Sequence, residues 1–245
     1  MLDEHYITDT LKIEKNILKY RKDKKFIPIK KSNWHKILSE YGWKKIDKNW
    51  IIKLNKLSKS KERNSLYGIY DVPKDGNCFY HCIAKAFTDN YINDVYLYDD
   101  IDIRKIISEG LTQSHFENYI EYYRIIESIN ENDNLWDANK IINLDDLKEI
   151  IKSSTIDFWV DYYILQFAIE ILNINILILN TNEDKKLYTV YNTMINYDKG
   201  KKTIILSYEN ENHFNLVGYY NGENIVTLFE HKEIPYEFSV LFSIG

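Results

Sequence analysis

DVPKDGNCFYHCIAKAF, residues 71–87, sets a cysteine between a tight turn and a run with helical spacing. Gly76 allows the chain to bend sharply, and Asp75 and Asn77 are residue types that pin such a bend by accepting backbone hydrogen bonds. The helix predicted from Cys78 to about Phe87 presents unpaired N–H groups and the positive end of its dipole to the Cys78 sulfur, which favours the thiolate. N–H groups around Asn77 and Cys78 are also placed to meet a developing oxyanion. Cys82, one turn along beside Ala84 and Ala86, reads as packing.

A nucleophile needs a base. His213, in ENENHFNLVGY, opens a predicted strand after a polar turn, and Asn215 follows two residues later. Strand side chains alternate, so the imidazole and the amide project from one face, where the amide can orient the ring. A metal reading of Cys78, His81 and Cys82 fails on spacing, since no zinc knuckle has it and no second cysteine pair exists.

Outward from these two segments the pattern is helices first and strands late. Helices are expected at residues 102–109, 113–129, 143–152 and 156–172, the third capped by Asn143 and the last by Thr155. NINILILN, KLYTVY and TIILSY then read as strands, and HFNLVGYYNGENIVTLF as two strands joined at Asn221-Gly222. This order predicts an α+β fold, a small central sheet flanked by helices. Nearer the N-terminus, Leu11, Ile13, Ile17, Leu18 and Tyr20 fit an amphipathic helix from Ile7 to about Lys22, with Thr8 or Asp9 as cap. Trp34, Ile37, Leu38 and Tyr41 fit a second helix, capped by Ser32 or Asn33 and stopped by Gly42. KLSKSKER, residues 56–63, is the expected linker. The expected division is therefore a basic helical extension, residues 1–65, and a catalytic domain, residues 66–245.

Charge divides the chain at nearly the same place. Residues 1–66 hold 18 Lys and Arg against 8 Asp and Glu, whereas residues 67–245 hold 14 against 29. The basic segment reads as a packing or partner-binding extension, its lysines too interleaved with apolar positions to suggest nucleic acid. Across 245 residues, 44% of them hydrophobic, no apolar stretch approaches a membrane span, and the Met1-Leu2-Asp3-Glu4 start lacks the features of a signal peptide. With two cysteines and no disulfide framework, the expected location is a reducing intracellular compartment, the cytoplasm of a cell or host, or a virion.

The segment around Cys78 resembles the catalytic-cysteine motif of the ovarian-tumour (OTU) family of cysteine proteases, most of which are deubiquitinases. NHFNLV resembles that family's histidine motif, DIRKIISE its Ile/Leu-Arg helix, and FWVDYYILQFAIEILNINILIL its tryptophan-led helix and following strand, in a form familiar from large DNA viruses. The resemblance covers about residues 66–230. It implies Cys78 as nucleophile, His213 as base, and Asp75 and Asn215 as competitors for the third catalytic place. It also implies Gly76 and Asn77 in the oxyanion loop, with Trp159, Asp161 and Phe214 toward the substrate. Phe79-Tyr80-His81 replaces the common Leu-Phe-Arg, and Val160-Asp161 stands where many members carry Gly-Gly. The implied reaction is hydrolysis after the C-terminal glycine of ubiquitin, in polyubiquitin or ubiquitin-like conjugates, with no metal or organic cofactor. The rival readings are a ubiquitin-binding module of little activity and a protease for a viral or other precursor. A papain-type enzyme would carry a Gln shortly before its cysteine, and residues 66–77 contain none.

Overall fold

The structure is a computed structural model, and the residues described are 4–59, 66–90, 98–129, 141–153, 160–182, 184–191 and 196–245. Its centre is a mixed sheet in the order β5-β6-β10-β9-β7-β8, formed by Trp43–Lys45 (β5), Tyr67–Tyr70 (β6), Ile174–Asn182 (β7), Leu187–Tyr191 (β8), Lys202–Glu209 (β9) and His213–Tyr220 (β10). Among the described residues only β7 and β9 run parallel; short β11 (Ile225–Val226) and β12 (Leu228–Phe229) pair with β10 and β9. The architecture is α+β, as the order of patterns predicts.

Strand alternation explains the layers. Ile174, Ile176 and Ile178, with Ile204, Leu206, Phe214 and Leu216, face a core filled from Cys78–Asn90 (α3), Asp100–Gly110 (α4), Gln113–Ile129 (α5), Leu144–Lys152 (α6) and Tyr162–Ile171 (α7). Leu177, Leu179, Ile205 and Val217 face the other way, against Trp50 and Leu54 of Lys48–Leu57 (α2) and Phe238 of Tyr236–Leu241 (α8). α6 begins at the expected cap: Asn143 accepts from the Asp146 N–H while the Asp146 side chain accepts from the Asn143 N–H, a complete capping box.

The N-terminal segment departs from expectation. The helix predicted over Ile7–Lys22 is a meander of Glu4–Thr8 (β1), Leu11–Glu14 (β2), Ile17–Lys22 (β3) and Lys25–Pro28 (β4). Its apolar residues are spaced for either structure, but the register pairs Leu11 with Tyr20 and Ile13 with Leu18 on one face, and the turns fall at Lys15-Asn16 and Asp23-Lys24, all four with positive φ. The second helix forms as expected at Trp34–Leu38 (α1), followed by a 3-10 turn that stops at Gly42, φ 86°.

A boundary at residue 65 also cuts through bonded structure, since β5 pairs with β6 and α2 lies on the main sheet. The linker predicted over 56–63 overlaps the end of α2, and residues 60–65 lie outside the described residues, as does Thr155. α7 starts at Tyr162 and is capped by Asp161. After Asn221-Gly222 the predicted second strand is split into β11 and β12. No described helix is long and apolar enough to cross a membrane.

Two glycines join the meander and α1 to the sheet. Gly68 and Gly218 are register partners, so they leave one side-chain-free patch, and the Trp34 and Trp43 rings occupy it. A Cβ at Gly218 would lie 2.6 Å from the Trp43 ring and 2.7 Å from Ile225. Gly218→Ala is therefore expected to cost about 1–3 kcal/mol through overpacking, read as a lowered denaturation midpoint in tryptophan fluorescence; an unchanged midpoint contradicts this account of the contact.

Candidate active site

β10 outruns its neighbour β6. β6 pairs with Leu216–Tyr219 only, so His213, Phe214 and Asn215 have β9 on one side and an uncovered edge on the other. The chain leaving β6 turns across this edge: the Val72 N–H donates to Asn215 Oδ1 at 3.3 Å. It then makes the bend at Gly76, φ 85°, and enters α3 at Cys78. The uncovered Phe214 N–H meets the Cys78 sulfur at 3.4 Å. Cys78 and His213 line one cleft of about 200 Å³ with Lys74, Gly76, Phe79, Val160, Tyr208, Asn212 and Phe214.

His213 and Asn215 are both buried. His213 Nε2 is buried with no hydrogen-bond partner among the described residues. Burial, and next the Lys74 charge, hold the imidazole below its ordinary range, against the influence of the Asn215 side chain, which favours the charged form. Burial also pushes the Cys78 thiol up, outweighing the Phe214 and Phe79 N–H groups that favour the thiolate, and the Asp75 charge adds to the rise. The thiolate expected from the helix terminus therefore meets an opposing effect, since desolvation of the sulfur disfavours its charge.

Asp75 does not reach the histidine by a hydrogen bond. Its Oδ1 accepts from the Asn77 N–H at 2.9 Å, closing the turn over Gly76, and its Oδ2 lies 3.0 Å from His81 Nε2. Burial works against its charge, but the His81 and Asn77 bonds outweigh this and hold the carboxyl below the usual range. The Asn77 N–H is consequently committed to the loop and not open to an oxyanion. The N–H groups of the first turn of α3, which have no intrahelical acceptor, remain for that task.

Asn77 is held from below by Arg104. This α4 residue is fully buried; its Nε donates to Asn77 Oδ1 at 2.8 Å and its Nη1 to the Ile151 carbonyl at 2.8 Å, with the guanidinium 3.9 Å from the centre of the Tyr80 ring. The sequence places it in the segment that resembles the Ile/Leu-Arg helix, beside buried Ile103 and Ile107, without assigning it a partner. Tyr208 is a residue that pattern reading misses. Its ring stacks on Phe214 at 4.5 Å, its hydroxyl donates to the Glu211 carbonyl at 2.6 Å, and so it steadies the turn that leads into His213.

Of the residues expected toward a substrate, Phe214 lines the cleft and packs edge-on against Phe79. Asp161 has a different task. Its Oδ1 caps α7 through the Ile164 N–H, and its Oδ2 accepts from the Tyr119 and Tyr123 hydroxyls, so its carboxylate is spent inside the fold. Trp159 lies outside the described residues. Cys82 is fully buried in the α3 core.

No protein-family model and no curated protein matches the sequence. Among solved structures, the chain is similar to an ovarian tumour (OTU) domain in complex with ubiquitin, at 16% identity over 72% of this chain and 81% of that one, TM-score 0.42. The similarity is to OTU domains. Two further examples are the Hazara virus OTU bound to ubiquitin (15% identity, 63% of this chain, 82% of that one, TM-score 0.40) and the OTU domain protease from Farallon virus (18%, 63%, 85%, 0.40).

The lowered basicity of His213 makes a pH prediction with a definite sign. His213 accepts a proton only when unprotonated, and its lowered pKa keeps it so as the medium is acidified. The acid limb of kcat/KM is expected to have its midpoint below 6.5. Lys74→Ala removes a charge that disfavours the imidazolium, so it should move the limb upward at low salt, the difference shrinking as salt is added. A downward or salt-independent shift contradicts the assignment.

Proposed function

We propose that the protein is an OTU-type cysteine protease that hydrolyses isopeptide bonds after the C-terminal glycine of ubiquitin. The observation that carries the chemistry is the Cys78 sulfur at the uncovered end of β10, 3.4 Å from the N–H that follows His213, with Asn215 on the imidazole. Support for ubiquitin comes from the four sequence segments that resemble the OTU motifs, and from the acidity of residues 67–245, which suits the basic C-terminal tail of ubiquitin.

In this reading His213 takes the Cys78 proton as the sulfur attacks the glycine carbonyl, so charge develops only when substrate is in place. First-turn N–H groups of α3 stabilise the oxyanion. The imidazolium then protonates the leaving lysine amine, and the glycine carbonyl is left as a thioester on Cys78. Water, deprotonated by the same imidazole, releases ubiquitin and restores the thiol. Asn215 orients the ring throughout, and Asp75, Gly76 and Asn77 hold the loop. No step draws on a metal or organic cofactor.

A ubiquitin C-terminal electrophile tests this directly. The wild-type protein should gain one ubiquitin mass, Cys78→Ala none, and His213→Ala should react at least about a hundredfold more slowly. Absence of labelling of folded wild-type protein refutes the ubiquitin reading; cleavage of another precursor by that same protein, lost in Cys78→Ala, would keep the chemistry and change the substrate.

A further inference from the structure

His81 sits one turn after Cys78 on α3, where the resemblance leads one to expect arginine, and the catalytic chemistry above leaves it unused. Its two ring nitrogens face two carboxylates from different parts of the fold. Nε2 lies 3.0 Å from Asp75 Oδ2 in the loop, and Nδ1 lies 3.6 Å from Asp100 Oδ1 at the start of α4. The side chain is about one-quarter exposed, and Asp100 is more enclosed still. The lysine of α3, Lys85, lies over the Tyr70 ring at 4.9 Å.

The loop is therefore held at three points. Asp75 Oδ1 closes the turn through the Asn77 N–H, Arg104 of α4 holds the Asn77 side chain, and His81 holds the remaining Asp75 oxygen. Two of these ties run to α4, since His81 also faces Asp100. A charged imidazole presents an N–H to both carboxylates, whereas a neutral one presents only one. With a proton on Nε2, as in the charged form or that neutral tautomer, it joins the bend before Cys78 to the helix that carries Cys78.

Resting on the reading of the site given above, we infer that His81 is a positioning residue: by joining Asp75 and Asp100 it fixes the Asp75–Asn77 loop, and thereby the approach of Cys78 and the first turn of α3 to the scissile carbonyl. It touches neither substrate nor the reacting atoms. Its effect belongs to the transition state, because loose loop geometry misplaces the sulfur and the oxyanion donors together while leaving distant substrate contacts intact.

The test combines kinetics on a ubiquitin C-terminal fluorogenic amide with residue-resolved amide hydrogen exchange in wild type, His81→Ala, His81→Arg and Asp100→Asn. His81→Ala should lower kcat about tenfold with KM within about twofold. The Asn77 amide, no longer shielded by a tethered Asp75, should exchange at least about fivefold faster, with the amides of β7 unchanged. His81→Arg, whose guanidinium spans two carboxylates, should restore both readouts to within about threefold, and Asp100→Asn should move them in the direction of His81→Ala by less. Unaltered Asn77 exchange in His81→Ala, or a well-folded His81→Arg that restores neither readout, overturns the inference. If wild type fails to turn over the ubiquitin amide, the proposed substrate falls, and Asn77 exchange in the same four proteins still decides the role of His81. If His81→Ala loses protection in β7 as well, the comparison of His81→Arg with Asp100→Asn decides it.

Discussion

A strand that outruns its neighbour leaves backbone donors with nothing to bond, and at the end of β10 the Phe214 N–H meets the Cys78 sulfur. The rest of the molecule is arranged around that one contact. Along a single face β10 gives Phe214 and Leu216 to the α3 core and Gly218 and Tyr220 to the N-terminal lobe, where Tyr220 stacks on Trp34. Along the other it gives His213, Asn215 and Val217. One strand thus carries the histidine, its orienting amide and the anchors of two cores, so a register slip of one residue would exchange all of them at once.

The cysteine is aimed by buried polar groups as much as by packing. Arg104 is a fully buried cation whose partners among the described residues are an amide oxygen, a backbone carbonyl and an aromatic face, with no carboxylate among them. Burying a charge on such terms is costly. The arrangement is intelligible because both hydrogen bonds are directional: one end fixes Asn77 beside Cys78, and the other fixes the end of α6 through Ile151. Truncating Asn77 or Arg104 leaves the other buried and short of a partner, a penalty larger than the bond itself.

What the sequence made legible is what local chemistry dictates. The Asp-Gly-Asn bend before a helix, the Asn143 capping box, the late apolar strands and the His-x-Asn alternation each depend on residues within a few positions. The Ile7–Lys22 misreading has the opposite origin. Leu11, Ile13, Leu18 and Tyr20 satisfy both periodicities, and the turns that decide between them use Lys15-Asn16 and Asp23-Lys24 rather than glycine. The matched pair Gly68 and Gly218, the bonds from Arg104 to Asn77 and Ile151, and the Tyr119 and Tyr123 hydroxyls on Asp161 join residues tens to more than a hundred positions apart, which no local pattern records. Asp161 shows the risk of carrying a role by position: it sits in the segment that resembles a substrate-facing motif, yet its oxygens are consumed by a helix terminus and two tyrosines.

Burial works against the dipole argument for Cys78 although its premises hold. α3 does begin at Cys78, and the N–H groups of Phe214, Phe79 and Cys78 favour the thiolate, but the same cleft walls that bring Phe79 and Phe214 to the sulfur remove water that would solvate its charge. Desolvation acts on His213 as well, in the direction that also disfavours charge. In the proposed reaction such a pair would withhold its nucleophile until a carbonyl is present to receive the charge. The first-turn N–H groups of α3 would then act on the substrate oxygen, where they lower the barrier, and not on a resting thiolate, where they would stabilise the ground state.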